Sequence, residues 1–551
     1  MQSPGSCRWS MLAATTVLAL QVAACASMPR ARTDMSTTAE ITESDLRTRL
    51  SIFAADSMQG RAAGSIGHER AVRYLVSEAT RLGLSPAGDH GTFLQTFHMR
   101  VRGLDPASAI EVNDRILRPT VDFRAITVGS GQLRPISGAE VIYGGVVGDT
   151  TTQITADEAS GRIVVLGVPA NMNEVRAFEN VIYGPGSRFG SAVAVAIASL
   201  EYVSRERRGI ASTVSLADAA LPLAGQYATT LLVTSDAARA LLGMPLRAAV
   251  AGTRGRTVNG RVSVIEDVRP THNVVAMIRG TDPTLSAQYV VLGAHSDHLP
   301  LAPRAVDHDA TRAIARERNL SRIPAEQRKL LSTGANPAAS GRGAVRLDSI
   351  FNGADDDGSG SVALLEIAEM MAAAARHPRR SVLFVWHSAE EDIFMGSGWF
   401  VAHSPVPTDS IVAMLNLDMV GRGGVDDIAG GGPRYVEVIG ADRRSPALLS
   451  LISDVNRRSS VPATLLTSDP DGAFCKSDQW SYARLGIPVA FFFTGDHADR
   501  HSVTDESQYI DYSKLALVSR LVAAVTMRLA SGPERFEPSG RRQVLPEFCS
   551  Y

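Results

Sequence analysis

Histidines and carboxylates recur in this chain immediately after apolar segments. His295-Ser296-Asp297-His298 closes the segment Tyr289–Ala294, Glu390-Glu391 follows Val382–Trp386, Asp418 follows Val412–Leu417, and His501 comes a few residues after Val489–Thr494. A further polar cluster, Asn352-Gly353-Ala354-Asp355-Asp356-Asp357-Gly358-Ser359-Gly360, precedes the helical pattern that starts near Ser361. Each fragment alone has a plain explanation: an aspartate there can cap the following helix, and a glutamate pair can be a solvated loop. Their conjunction is different, because so many acids at one edge repel unless cations sit among them. Oxygen and nitrogen ligands of this kind can hold two divalent ions about 3.5–4 Å apart, with one carboxylate bridging both. No Cys-x-x-Cys is present, which argues against a closed structural zinc site and for an open, catalytic one. Two adjacent glutamates suit such a site: one ligates, and the other serves as general base toward a water that the cations acidify. Asp297, two residues after His295, can reach the second imidazole nitrogen and fix the tautomer.

These groups share an edge only if the apolar segments are strands of one sheet. From about Asn273 the chain alternates strand and helix: NVVAMIRG, QYVVLGAH, SVALLEIAEMMAAAAR, SVLFVWHS, IVAMLNLD, PVAFFFTG and a closing helix from Tyr512 to about Leu529. Strands apolar throughout, with helices between them, predict an α/β fold with a mostly parallel sheet covered on both faces. Ligands then gather beyond the carboxyl ends of the strands. Upstream, a glycine-rich turn feeds an amphipathic helix from roughly Gly67 to Leu82. Between about Arg134 and Gly255, short apolar segments (AEVIYGG, GRIVVLG, ATTLLVTS, LRAAVAG) flank the alanine-rich SAVAVAIASLEYV, which reads as a small β-rich unit with a helix or two.

Length and composition bound the answer. The 551 residues allow two to four compact units; 45% hydrophobic and 20% charged residues with a mean hydropathy of +0.02 exclude wholesale disorder and a polytopic membrane protein. A net charge of −2 gives no pull toward nucleic acid. The start, with Arg8, an apolar run from Met11 to Ala24 and Val22-Ala23-Ala24-Cys25, reads as a signal peptide of lipoprotein type, which would leave Cys25 lipidated at the new N-terminus. The expected location is therefore the cell envelope, with Ala26 after the anchor pointing to an outer membrane facing the periplasm, and with membrane contact only through the lipid. Cys475 and Cys549 could pair in such a compartment, although no spacing argument joins them. The expected division is 1–25 signal, 26–45 polar tether, 46–133 first part of the main domain, 134–255 inserted unit, 256–531 remainder of the main domain and 532–551 tail.

Taken in order over 270–530, GAHSDH, NGADDDGSG, SAEEDIFMGSGWF, LNLDMVGR, SDQWSYARLGIPVAFFF and RHSVTDESQYIDY resemble the di-zinc exopeptidases of the bacterial aminopeptidase and glutamate carboxypeptidase family, peptidase clan MH. FAADSMQGRAAGSIGHERAVRYLVSEATRLGLSPAG is similar to the start of that family's peptidase domain. The resemblance implies a phosphorylase/hydrolase-like α/β fold and two Zn2+, with Co2+ or Mn2+ as substitutes. It implies His295, Asp356, Glu391, Asp418 and His501 as ligands, with Asp356 bridging, Glu390 as general base and Asp297 orienting His295. The 134–255 unit is similar to the protease-associated domain that many members carry. Two departures stand out. Nearly sixty residues separate Asp297 from Asp356, including the Arg-rich DHDATRAIARERNLSRIPAEQRKLL, read as a solvated surface helix in an insertion that folds over the site; and Gln479 stands where many relatives have histidine.

The activity expected is release of N-terminal residues from peptides or proteins by aminopeptidase chemistry. A carboxypeptidase uses the same ligands, and the Arg-rich insertion keeps that alternative open. A glutaminyl cyclase fits less well with intact paired glutamates, and a non-enzymatic receptor would be expected to have lost ligands.

Overall fold

The computed structural model describes residues 37–126, 133–169, 183, 186–203, 212–219, 227–302, 304–331, 345–469, 472–533, 536 and 549. The expected leader, the start of the tether and most of the tail lie outside them.

Among the described residues the main sheet has ten strands. Its centre is parallel, in the order Ser381–His387, Tyr289–His295, Ile411–Leu417, Val489–Phe493. Antiparallel strands extend it on both sides: Tyr435–Ile439 beside Val489–Phe493, and Val264–Ile278 beside Ser381–His387. The parallel character expected from the sequence thus holds where the apolar runs are continuous, and the flanks form a mixed sheet. Successive residues serve opposite faces. Val274 and Ala276 pack with Leu50, Leu75, Val362 and Val522 in one core, while Val275 and Met277 pack with Met414, Phe400 and Tyr482 in the other. Helix Gly360–Ala372 is apolar on nearly every side and accordingly almost wholly buried. Helices Ile66–Arg81 and Tyr512–Ser531 start at Ser65 and Asp511, whose side chains accept from backbone N–H groups of the first turn.

A second sheet, with eight strands among the described residues, draws on residues between Ala109 and Arg261. Three of its strands, Ala109–Val112, Arg115–Leu117 and Phe123–Ile126, precede residue 134; such short segments carry little periodic signal. Ala194–Ile197, within the alanine-rich stretch, is a buried strand between Ile163–Gly167 and Thr229–Val233, and LRAAVAG contributes a single helical turn, Leu246–Ala248, after Pro245. Packing between two strands overrides alanine's helical preference. The chain enters and leaves this unit along one antiparallel pair, Leu94–Leu104 with Val264–Ile278, in register from Leu94↔Val274 to Leu104↔Val264.

Cys475 and Cys549 form a disulfide with Cα atoms 5.7 Å apart, tying the end of the chain to the core. None of the described helices is long and apolar enough to cross a membrane.

Beneath the sheet, Arg49 holds three carboxylates from two helices: Nε lies 2.5 Å from Glu366, Nη1 2.5 Å from Glu78, and Nη2 bonds Glu369. Burial pushes the Glu366 carboxyl up to about 7 even with Arg49 against it. Arg49→Met should cost about 3–5 kcal/mol, read as an earlier urea midpoint, because it strands the buried Glu366 without its cation while Glu78 and Glu369 keep Arg81; an unchanged midpoint would show that the cluster is neutral to folding.

Candidate metal centre

The parallel register sets the first two positions. His295 ends its strand level with His387 on the neighbouring one, and three residues on Glu390 enters the same space. Asp418 follows Leu417 directly, and Thr494 begins the loop that carries Arg500 and His501.

The acidic turn is held so that one aspartate is left over. Asp357 accepts from the backbone N–H groups of His295 and Gly360, both at 2.9 Å, and of Met419 at 3.3 Å. Asp355 accepts from Gly421 N at 2.7 Å and pairs with His497 Nε2 at 3.0 Å. The backbone of the turn itself donates to Asp505, and its carbonyls at Asn352 and Gly353 accept from the buried guanidinium of Arg61. Asp356 alone turns both oxygens to imidazoles, Oδ1 3.2 Å from His295 Nε2 and Oδ2 3.0 Å from His501 Nε2. The Asp356–Asp357 peptide is cis.

Around Asp356 lie two groups. Asp418 Oδ1 is 3.5 Å and Glu390 Oε2 3.8 Å from His295 Nε2. On the other side Glu391 Oε2 is 2.9 Å from His501 Nε2, and its Oε1 2.8 Å from His298 Nδ1. The other nitrogen of His295 lies 3.1 Å from the main-chain oxygen of Asp297 and 3.7 Å from its carboxylate, which accepts from Glu390 N at 3.1 Å. Asp297 therefore ties the two halves together, and burial pushes its carboxyl up to about 8.

Electrostatically this is a strained ensemble. Burial opposes charge on His295, but Glu390 and Asp418 outweigh it and raise the imidazole well above its ordinary range. Burial raises Glu390 well above the usual carboxylate range, whereas at Glu391 the effect of burial is overcome by His501 and its acidity increases. Yet the buried atoms His295 Nε2, His298 Nδ1 and Nε2, Glu391 Oε1, Asp418 Oδ1 and His501 Nε2 have no partner in hydrogen-bond geometry. Buried polar groups normally have one. Lone pairs from His295, Glu390 and Asp418, and from His298, Asp356 and Glu391, converge to within 4.8 Å in each group. A donor set of imidazoles and carboxylates aimed inward without hydrogen bonds fits a pair of divalent cations.

The structure thus brings together every site residue expected from the sequence: His295, Asp297, Asp356, Glu390, Glu391, Asp418 and His501. Three more border the site. His298 was visible in the sequence only as the end of His-Ser-Asp-His, Arg500 only as the neighbour of His501, and Arg61 gave no signal. Arg500 Nε lies 3.3 Å from Asp356. Gln479 is not at the centre; it accepts from Asn416 and donates to Phe474 O, bracing the strand that ends at Asp418.

The Arg-rich insertion is helical over His308–Arg322 and docks on the loop that bears His501. Arg312 pairs with Asp499 at 2.7 Å and stacks on Tyr509, His308 bonds Glu506, and Asn319 accepts from Ala498 N. Its Arg316, Arg318 and Arg322 face solvent, as expected of a surface helix. A third convergent group, His308, Asp348 and Glu506, is internally bonded and joined by Arg346, so it serves as a clasp for the insertion.

Residues 273–526 match the family model "Peptidase family M28". The chain is 29% identical over 187 residues to "Leucine aminopeptidase 1" of Pyrenophora tritici-repentis, covering 32% of this chain and 46% of that protein. It is 26% identical over 218 residues to "Probable leucine aminopeptidase" of Arthroderma benhamiae, covering 38% and 56%. The match therefore spans about half the length of these curated relatives. Among solved structures, a zinc aminopeptidase from Bacillus subtilis superposes with a TM-score of 0.57 at 15% identity, over 90% of this chain and 97% of that one. An aminopeptidase from Aneurinibacillus sp. strain AM-1 gives 0.53 at 16% identity, over 91% and 95%. At such identity these two establish a shared fold. The stretch that matches the Peptidase family M28 model, residues 273–526, contains every residue expected as a ligand, and the two solved aminopeptidases share the fold that positions them.

Proposed function

We propose that the chain is a zinc-dependent aminopeptidase that releases N-terminal residues from peptides. The observation that carries this reading is the convergence on either side of Asp356 of two donor groups, one with His295, Glu390 and Asp418 and one with His298 and Glu391, whose inward imidazole nitrogens have no hydrogen-bond partner. His295, Asp418 and Asp356 would hold one ion, and Glu391, His501 and Asp356 the other. Bound there, two zinc ions supply Lewis acidity to the scissile carbonyl and to the attacking water. Glu390 takes the proton of that water and returns it to the leaving amine. Asp297 keeps His295 and the Glu390 backbone in register, and the outer aspartates keep Asp356 aimed inward. Curated relatives named leucine aminopeptidases support the amino-terminal reading.

A carboxypeptidase is the second reading, favoured by Arg500, a cation at the edge of an otherwise acidic site that would attract a terminal carboxylate. One panel separates them. Purified protein is given free and N-acetylated peptides, with and without chelator. We expect chelator-sensitive cleavage of free peptides only. Cleavage that survives N-acetylation would select the carboxypeptidase, and conversion of an N-terminal glutamine peptide without uptake of water would select the cyclase.

The same proposal includes export. Lipidation at Cys25 would anchor the enzyme in the cell envelope, and the 109–261 sheet would be a protease-associated insertion. Cys25→Ser should move the protein from the membrane fraction to the soluble one.

A further inference from the structure

We infer that His298 is an additional ligand of the ion held by Glu391, Asp356 and His501, so that the two metal sites are unequal. This rests on the two-metal reading above. His298 is wholly buried, and neither ring nitrogen has a partner in hydrogen-bond geometry. Its Nδ1 stands 2.8 Å from Glu391 Oε1 and 4.0 Å from Asp356 Oδ1. His501 meets the same two carboxylates through their other oxygens, Glu391 Oε2 at 2.9 Å and Asp356 Oδ2 at 3.0 Å, again without hydrogen-bond geometry, so the two rings flank Glu391 from either side and His298 stands the farther from Asp356. Two donors on one tetrahedral zinc ion, each about 2.0–2.2 Å from it, lie about 3.4 Å apart, a spacing that small movements of the Glu391 and His298 side chains would reach. A buried nitrogen that faces a carboxylate oxygen at 2.8 Å, off the direction an N–H bond requires, is free to share a cation with it.

The chain keeps a slot for this ring. Gly353 lies against it at a φ of +53°, and a Cβ there would come within 2.5 Å of His298 Cδ2. The backbone N–H of His298 donates to Arg61 O, and Arg61 in turn grips the turn that carries Asp356. Ring, bridging aspartate and guanidinium are thus one assembly. The ion beside Asp418 would have a single imidazole, His295, and keep room for substrate; the ion beside Glu391 would have two and be held more tightly.

The rival is that His298 only donates to Glu391 and positions it. Loss of such a support also weakens metal binding, by about 10–100-fold, so affinity alone does not decide. The full chain is stripped with chelator and titrated with Co2+, following d–d absorption, and with Zn2+ against a chromophoric competitor. Wild type should bind two ions in resolvable steps. His298→Ala should weaken one step at least tenfold, leave the other within about threefold, and alter the cobalt band of the weakened step. His298→Asn, which keeps a hydrogen-bond donor without an imidazole nitrogen, should do the same, and it is read alone if the alanine variant unfolds. Asparagine restoring both affinity and spectrum, or neither variant changing them, overturns the ligand assignment while leaving the two-metal site intact. Wild type that takes up fewer than two ions overturns the two-metal reading itself.

Discussion

Glu390→Gln should hold its full complement of metal and lose turnover, with kcat down about 10²–10⁴-fold, the usual contribution of a positioned general acid–base group. The side chain is nearly buried and lies 3.8 Å from His295 Nε2, at the margin of the site. Glutamine fills the same volume and keeps the backbone N–H that Asp297 accepts. What it removes is the ability to take a proton. Burial raises the Glu390 carboxyl well above its usual range, with Asp418 and Glu391 adding to the effect and His295 opposing it. Bound cations pull such a group back toward the charged state. Glu391→Gln is the control: Glu391 faces His298 and His501, so its loss should empty one metal site. Metal analysis with single-turnover kinetics on both variants checks the division of labour. A Glu390→Gln enzyme at near-normal rate would remove Glu390 from the chemistry, and a metal-poor one would make it a ligand.

Why the adjacent glutamates divide in this way is not written in their local sequence. Strands such as Tyr289–His295 and Ile411–Leu417 are legible because both their faces are buried and nearly every position is apolar, and that pattern fixes the edge at which His295 and Asp418 emerge. Which aspartate of 355–357 faces inward is decided by partners far away in the chain. Gly421 and His497 occupy Asp355, and His295, Gly360 and Met419 occupy Asp357. A family resemblance can name Asp356, but periodicity cannot. His298 was hidden for the same reason: its role depends on Gly353 and Glu391, and a fourth residue after a strand carries no pattern of its own. The docking of the insertion through Arg312 and His308, and the Cys475–Cys549 bridge, are likewise contacts between distant segments. Short strands such as Arg115–Leu117 escape because three residues define no period.

Asp356→Ala should leave a folded protein that has lost its metal and all measurable activity. Both oxygens face imidazoles on opposite sides, His295 and His501, so a single substitution removes a donor from each site. Burial alone would raise the Asp356 carboxyl, but the imidazoles of His295 and His501 against it hold it well below its ordinary range, so it is charged and ready to ligate at neutral pH. Binding to the folded state alone adds RT ln(1 + [metal]/Kd) of stability, about 4 kcal/mol at a thousandfold excess over Kd. Zinc should therefore raise the melting temperature of the stripped wild type and leave that of Asp356→Ala unmoved. Asp357→Ala supplies the contrast. Its carboxylate touches no imidazole nitrogen but accepts from three buried N–H groups, each costing about 1–3 kcal/mol when left unpaired. That variant should melt earlier even without metal. Opposite outcomes at adjacent positions, one metal-dependent and one not, separate the ligand from the scaffold. If both variants respond to zinc as wild type does, the ions are not held at Asp356 and the proposed chemistry has no centre.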